Sequence, residues 1–536
     1  MTRLRQGFGG QARPLSNPVR ADGQVAKPPR AWLRIAGGNP HLTIVEARSF
    51  FQALARKGRK APFDAACGVA QDRLRQAQGE RWWLFAIPLL FAAAPAPAET
   101  IAFTGGRVVI GDGSEAIDNG VVVIRDGRVV AAGANVAVPA GATIVDARGK
   151  WVTPGVVAGF SRIGLVEVDA VDATNDTRAA TSPFSAAIDV APAINPEVTS
   201  IAVSRAAGVT RAVVSPATAR SIFAGQGAVI DLGGDMAPIT RARAFQYIEL
   251  GEDGARDAGG SRASAHVLLR NALREARDLR LPIAARGPGR APNTAPPEDL
   301  PENPYLLPGT QRSDDVLLTR FDAAALVPVL QGRQLLLVHV ERASDILQVL
   351  ALKREFPNLR IVLVGATEGW RVAQQIAAAR VPVIANALVD LPASFEQLSA
   401  TQSNVGRMRA AGITVAIGMI NDDEARQVRL ETQYAGNLVA IGRVPGHSGL
   451  TWSQAFAAIS SAPAEAIGMA DEIGSLRPGR RADVVVWDGD PLELATGVDA
   501  VWIDGVRQSL SNRQTELRDR YRQPQEGALP HAYDPR

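Results

Sequence analysis

Cysteine and histidine are scarce in this chain. Among 536 residues there is one cysteine, Cys67, and there are five histidines. A single cysteine cannot form an intrachain disulfide, and it excludes the paired-cysteine motifs that bind structural zinc. Four of the histidines follow residue 98: His266, His339, His447 and His531. Few imidazole side chains could therefore act as metal ligands in that part of the chain.

Charge is unevenly distributed along the chain. The formal net charge is +4, but residues 1–81 hold 15 of the 58 basic and 5 of the 54 acidic side chains. The remaining residues hold 43 basic and 49 acidic side chains, so they are mildly acidic. Such a body gives no basis for nucleic-acid binding, which requires a basic surface. The length allows two or three domains with a large core.

Residues 81–98 have the three parts of a secretory signal peptide. A basic Arg81 precedes an apolar run over residues 82–94, and Ala96 and Ala98 form a small-x-small cleavage site. The run is shorter than the roughly 20 residues of a membrane-spanning helix. We predict export to the periplasm or the exterior with no stable membrane span; a buried apolar helix is the alternative. Residues 1–80 are interpreted as a non-native or disordered extension.

Short strands and glycine-rich turns are predicted at both ends of the exported chain. Strand-like runs cover residues 101–110, 120–133, 143–146, 482–491 and 498–505. Asp126-Gly127 has the composition of a hairpin turn. The economical architecture is a small composite β-sandwich formed from residues 99–154 and 473–508, with another domain inserted between them. The polar tail, residues 509–536, is expected to be peripheral.

The middle of the chain alternates apolar runs with helical patterns. The apolar runs cover residues 334–340, 359–364, 381–385 and 413–417. Fully apolar strands between helices indicate a parallel sheet that is covered on both faces. Four consecutive strand–helix units predict a TIM-like (β/α)8 barrel, which we assign to residues 155–472. Residues 286–312 are rich in proline, glycine and charge, and we expect a loop near one mouth of the barrel.

Several short motifs follow one another along the chain: Thr153-Pro154-Gly155, Ile194-Asn195-Pro196, Ala207-Gly208-Val209-Thr210, residues 339–346, Thr367-Glu368, and residues 461–468, 473–479 and 482–491. In this order they resemble the amidohydrolase superfamily, and more closely its imidazolonepropionase-like branch. The resemblance extends from about residue 100 to 508. It implies a barrel whose strand ends hold one or two divalent metal ions, which activate water for attack on an amide or related carbonyl.

The residues at the implied metal-binding positions depart from the superfamily pattern. The first strand of the family usually ends in His-x-His, and those two positions are Phe160 and Arg162 here. The histidine after the sixth strand corresponds to Gly365, and the aspartate after the eighth strand to Ile420. The resemblance therefore implies a degenerate metal site. We expect no metal cofactor, or zinc or another divalent ion if different residues complete the site.

Some candidate site residues remain. His339 and Glu341 follow the fifth strand, and their spacing of two places both side chains on one face. A slipped alignment would let Asp422 or Asp423 restore the carboxylate of the eighth strand. These positions make His339, Glu341 and Asp422 the candidate catalytic or metal-binding residues.

Two further residues are candidates for ligand binding. Glu368 keeps the carboxylate after the sixth strand, and Arg162 would project into the place of the first metal ion. Burying an arginine without a partner costs several kcal/mol. We therefore predict an ion pair between Arg162 and Glu341.

Three functions remain open. The first is a degenerate amidohydrolase that binds a small molecule, or that acts as the non-catalytic partner of an intact homologue or of a second copy. The second is an active hydrolase of C–N bonds with an atypical mononuclear site at His339, Glu341 and Asp422. The third is a binding protein of the cell envelope that reuses the barrel. Because most implied ligands are replaced, the sequence favours the first.

Overall fold

A computed structural model describes residues 99–168, 170–279, 317–421 and 425–522, and these belong to one compact unit. The predicted signal peptide, the loop at 286–312 and Asp422 with Asp423 lie outside the described residues. Among the described helices, none combines the length and apolar character that crossing a bilayer requires.

The strands, in chain order, are β1 Thr100–Val108, β2 Ile117–Arg125, β3 Arg128–Gly133, β4 Thr143–Asp146, β5 Trp151–Pro154, β6 Val156–Ser161, β7 Val209–Val214, β8 Phe223–Asp231, β9 Ile239–Glu249, β10 Leu335–Val340, β11 Ile361–Gly365, β12 Val383–Ala385, β13 Val415–Ile417, β14 Val484–Trp487, β15 Val498–Ile503 and β16 Val506–Arg507. The helices are α1 Thr199–Ala206, α2 Glu252–Asp257, α3 Arg262–Asp278, α4 Arg320–Leu330, α5 Ala343–Glu355, α6 Ala373–Ala379, α7 Asn404–Ala410, α8 Glu431–Ile441, α9 Trp452–Ala458, α10 Ser461–Ala466 and α11 Arg513–Arg522. Short 3₁₀ helices cover Asp172–Thr174, Ala191–Ala193, Gly369–Val372, Phe395–Gln397 and Val428–Leu430.

Both ends of the described chain contribute to one β-sheet. Its order is β16-β15-β14-β5-β1-β2-β3, and β4 also pairs with β1. The sheet folds around an apolar core in which the ring of Phe103 meets that of Trp502 edge-on, with 4.8 Å between centroids. The hairpin turn lies at Asp126 and Gly127, both with positive φ, because a two-residue turn of this kind follows the twist of its strands. This confirms the composite β-sandwich.

The eight strands β6 to β13 form the barrel. They lie in sequence order across the sheet, and the amide of Met419, just after β13, donates to the carbonyl of Phe160 in β6 at 2.9 Å, next to the seam. Large apolar side chains fill the interior, so the barrel is a packed core and not a pore. The predicted TIM-like barrel is thereby confirmed as the fold class.

One strand of the barrel runs against the expectation of a parallel sheet. Strand β8 is antiparallel to both β7 and β9. The connections on either side of it, residues 215–222 and 232–238, contain no helix. A parallel crossover needs a dozen or more residues, so these short connections reverse the chain instead.

A buried arginine joins the barrel to the composite sheet. The side chain of Arg211 in β7 is fully buried, and its Nε lies 2.8 Å from Asp483 Oδ2. Its Nη2 lies 2.8 Å from Asp504 Oδ1, and its Nη1 donates to Thr240 Oγ1 at 2.7 Å. Burial opposes the charge, but Asp483 and Asp504 outweigh it and raise the pKa of Arg211 above its usual value. Asp483 precedes β14 and Asp504 follows β15, so the guanidinium of Arg211 links these two strands of the sheet to β7 of the barrel.

We predict that Arg211→Met destabilises the protein by about 3–5 kcal/mol, because the variant leaves the buried carboxylate of Asp483 without its cation. The matched control is Arg256→Met, since Arg256 pairs with Asp253 on an exposed helix surface. Its loss should be about 0–1 kcal/mol. Urea unfolding followed by circular dichroism measures both. Equal losses for the two variants would contradict the assigned role.

Candidate functional site at the barrel mouth

The candidate site lies where the parallel strands β9, β10 and β11 end. In the register of these strands Glu249 is opposite His339, and His339 is opposite Val364. The residues of β10 are mostly apolar and buried, and the polar residues lie at the carboxyl end of this strand. Because neighbouring parallel strands end at the same edge, the side chains of Glu249 and His339 meet at the mouth.

The imidazole of His339 lies between two carboxylates. Its Nδ1 is 2.6 Å from Glu249 Oε1, and its Nε2 is 3.2 Å from Glu341 Oε1. Burial opposes the charged ring, but Glu249, Tyr247 and Glu341 outweigh it and raise the pKa of His339 well above its usual value. The raised pKa favours the doubly protonated ring, and a doubly protonated imidazole has no lone pair for a metal ion.

The carboxylate of Glu341 fills the space beside Gly365. Its Oε2 accepts a hydrogen bond from the amide of Thr367 at 2.7 Å. A Cβ atom at Gly365 would lie 2.7 Å from Glu341 Oε1, and the φ of +86° at this glycine disfavours any side chain. Burial alone would raise the pKa of Glu341. The bonds to His339 and Thr367 have the larger effect and lower the pKa below its usual value, so the carboxylate is ionised. A histidine at position 365 would therefore displace Glu341.

Phe160 and Arg162 occupy the end of the first barrel strand. The register of β6 against β7 shifts between Ala158 and Ser161, and the ring of Phe160 packs inside the barrel 5.3 Å from that of Tyr247. Arg162 is buried, and its guanidinium carbon lies 6.0 Å from the centre of the Phe160 ring. An apolar ring and a fixed cation therefore lie at this strand end.

The predicted ion pair between Arg162 and Glu341 is not formed. Within the described residues, the polar partners of the Glu341 carboxylate are His339 and Thr367, and Arg162 is not among its ion pairs. The sequence argument failed here because it did not identify Glu249. That residue brings His339 into the protonated state, and the imidazolium then supplies the cation that Glu341 needs.

The carboxylate of Glu368 is buried and accepts hydrogen bonds from two backbone amides. Its Oε2 accepts from the amide of Ala343, the first residue of α5, and its Oε1 accepts from the amide of Ser399, both at 3.0 Å. Arg371 Nη1 lies 3.2 Å from Oε2. Because these donors use both oxygens, Glu368 anchors a helix start and a loop.

The eighth-strand position is apolar. Ile420 is buried in the cluster that fills the barrel. Asp422 and Asp423 lie outside the described residues, so the structure does not place the carboxylate predicted there. His266 and His447 lie on α3 and in the loop before α9, and neither joins His339.

Three site residues were missed from the sequence. They are Tyr247 and Glu249, near and at the end of β9, and Glu396, after β12. Tyr247 Oη donates to Glu249 Oε2 at 3.4 Å, and the amide of Gly251 donates to Glu249 Oε1 at 3.1 Å. The available signal was an acidic residue that ends the apolar run at 245–248, but no strand was predicted over β9.

Comparison with known proteins shows similarity to amidohydrolases. A sequence model described as "Amidohydrolase family" matches residues 363–507. Amidohydrolase tasK of Hapsidospora irregularis is 24% identical over 493 residues, which are 88% of this chain and 47% of that protein. Imidazolonepropionase of Maricaulis maris (strain MCS10) is 32% identical over 160 residues, 29% of this chain and 36% of that protein. The chain thus matches less than half the length of either relative.

A solved structure supports the same fold. The crystal structure of an amidohydrolase from Thermotoga maritima MSB8 superposes with a TM-score of 0.63 at 24% identity, and covers 77% of this chain and 100% of its own. Residues 363–507 thus match the amidohydrolase family in sequence, and the chain resembles an amidohydrolase in fold.

Amidohydrolases usually depend on a metal ion, but the described mouth residues do not fit one. In the described ranges, no group of three or more His, Asp or Glu side chains is arranged to hold a metal ion. His339 has an acceptor at each nitrogen, and Glu341 fills the space beside Gly365.

We predict that Gly365→Ala costs roughly 2–5 kcal/mol, since strained backbone adds to a collision with Glu341. Gly259→Ala is the matched control, because Gly259 has a φ of +91° and an added Cβ meets nothing within 4 Å. That control should cost about 1–2 kcal/mol. Urea unfolding of both variants, repeated in a Glu341→Ala background, isolates the collision. An unchanged Gly365→Ala cost in that background would refute it.

Proposed function

We propose that this protein binds a small organic molecule at its barrel mouth and does not use metal-dependent hydrolysis. The observation that carries the proposal is the carboxylate of Glu341, which fills the space beside Gly365 while it bonds to His339. The position that would supply a further imidazole is thereby closed.

Electrostatics support the same conclusion. A divalent ion at the mouth would meet the imidazolium of His339 and the guanidinium of Arg162, which remains charged at every accessible pH. Releasing His339 for a metal would also require breaking its contact with Glu249 at 2.6 Å. The network of Glu249, His339 and Glu341 thus competes directly with metal binding.

The relatives indicate the class of ligand. Their names describe an amidohydrolase and an imidazolonepropionase. We infer that the ligand is a small amide or cyclic amide, of the kind that C–N hydrolases of this superfamily cleave. The imidazolium of His339 would donate to its carbonyl oxygen if Glu341 moved aside. Export through residues 81–98, and association with an intact homologue or a second copy, belong to the same proposal.

The second candidate is an active hydrolase with a mononuclear site. It is favoured by the short distance of 3.2 Å between His339 Nε2 and Glu341 Oε1, since two ligands of one ion also lie close together. It needs Asp422 as a third ligand. A metal that bound there would require a neutral His339.

We predict that zinc leaves the thermal midpoint of the full-length protein unchanged and that a chelator does not lower it. A ligand at 100 times its dissociation constant stabilises a protein by about 2.7 kcal/mol, so zinc binding would be visible. Differential scanning fluorimetry and metal analysis provide the measurement, with His339→Ala as the matched variant. Stoichiometric zinc that is lost in His339→Ala, with chelator-sensitive amide hydrolysis, would establish the mononuclear site instead.

A further inference from the structure

The connection between β12 and α7 begins at the carboxyl end of β12, at the mouth of the barrel. We refer to residues 386–403 as the strap; it contains the short helix Phe395–Gln397. Near its end, Trp370 Nε1 donates to the carbonyl of Ser399 at 2.9 Å, and the amide of Ser399 donates to Glu368. This part of the strap is therefore tied to the segment that follows β11.

The middle of the strap is held by one carboxylate. Glu396 is buried, and its Oε2 accepts from the amide of Glu252 at 2.7 Å and from Arg262 Nη2 at 3.0 Å. Its neighbours Phe395 and Leu398 are 82% and 66% exposed, so they contribute little apolar packing. The polar contacts of Glu396 are therefore the main tie in the middle of the strap.

These contacts extend across several strands. Glu252 and Arg262 lie in α2 and α3, which follow β9, whereas the strap begins at β12. Strand β10, which carries His339, and its neighbour β11 lie between β9 and β12 in the sheet. A Cβ atom at Gly251 would lie 2.9 Å from both oxygens of Glu396 and 3.1 Å from Glu249 Oε1. The carboxylates of Glu396 and of Glu249, the partner of His339, therefore both lie close to Gly251.

We propose that the strap controls access to the barrel mouth, that Glu396 latches it closed against Glu252 and Arg262, and that the latch weakens as the pH rises. The inference rests on the proposed function in one respect: the molecule admitted would be the ligand of the His339 site. The latch itself is a property of the protein without ligand.

The charges around the latch give the direction of the pH dependence. The titratable and charged groups that face Glu396 or share its partners are Glu249, Glu252, Arg262, His339, Glu341, Arg342 and Asp345. Burial, with Glu341 and Glu249, outweighs the favourable effect of His339 and of the Glu252 amide and raises the pKa of Glu396 to about 7. In an open, solvated strap this carboxyl would titrate near its ordinary value of about 4.3.

The sign follows from linkage between proton binding and closure. The closed strap binds the Glu396 proton more tightly than the open strap does. Closure is therefore strongest at low pH and weakens as the pH rises through about 7, because the ionised carboxylate then lies near Glu249 and Glu341. Between pH 6 and pH 8 the closing equilibrium should weaken about tenfold.

Hydrogen–deuterium exchange of the full-length protein tests the latch. With rates corrected for intrinsic exchange, peptides within residues 386–403 should open about tenfold more at pH 8 than at pH 6. In Glu396→Gln, a neutral side chain that still accepts both hydrogen bonds, this dependence should disappear. The matched control is Asp390→Asn, because Asp390 is an exposed carboxylate of the same strap; it should keep the wild-type dependence.

Identical pH profiles for the wild-type protein and Glu396→Gln would overturn the latch. If Glu396→Gln fails to fold, Arg262→Met provides the second test: its strap should be more open than that of the wild type at pH 8, where the ionised Glu396 has lost its cation. A strap in Arg262→Met that exchanges like the wild type would also refute the inference. Neither readout involves a metal ion or a ligand, so each outcome is independent of the proposed function.

Discussion

One imidazole held between two buried carboxylates organises the mouth of this barrel. Glu249 and His339 come from neighbouring strands in register, and Glu341 follows two residues later on the strand of His339. The same carboxylate bonds to Thr367 after the next strand and excludes a side chain at Gly365. Three strand ends are thus fixed by one chain of hydrogen bonds, and a buried, fully bonded network of this kind has little freedom to accept a metal ion.

The scaffold is stabilised elsewhere. Arg211 holds Asp483 and Asp504 between the barrel and the composite sheet, at a distance in the fold from the strand ends of the mouth. Because these contacts lie outside the mouth, the mouth residues can change while the barrel persists. The strap makes further contacts at the mouth. The carboxylate of Glu396 lies close to Gly251, as that of Glu249 does, and it accepts a hydrogen bond from the amide of Glu252, which follows β9.

The fold could be predicted further from the sequence than the site could. The apolar runs before His339 and Gly365 identified the parallel strands, and Asp126-Gly127 identified a hairpin. The reversal of β8 was missed because a short connection decides it. Glu249 was missed because contact between strand ends depends on register, which a single sequence does not give. The roles of Phe160 and Gly365 needed the positions of their neighbours.

The central claim is that His339 bridges Glu249 and Glu341 instead of binding a metal ion. A crystal structure of the full-length protein grown with zinc, with anomalous data collected at the zinc edge, tests it most directly. The account predicts an imidazole bonded to both carboxylates and no anomalous peak within bonding distance of its nitrogens. A strong peak bound to His339 Nε2 and Glu341, with the contact between them opened, would contradict it.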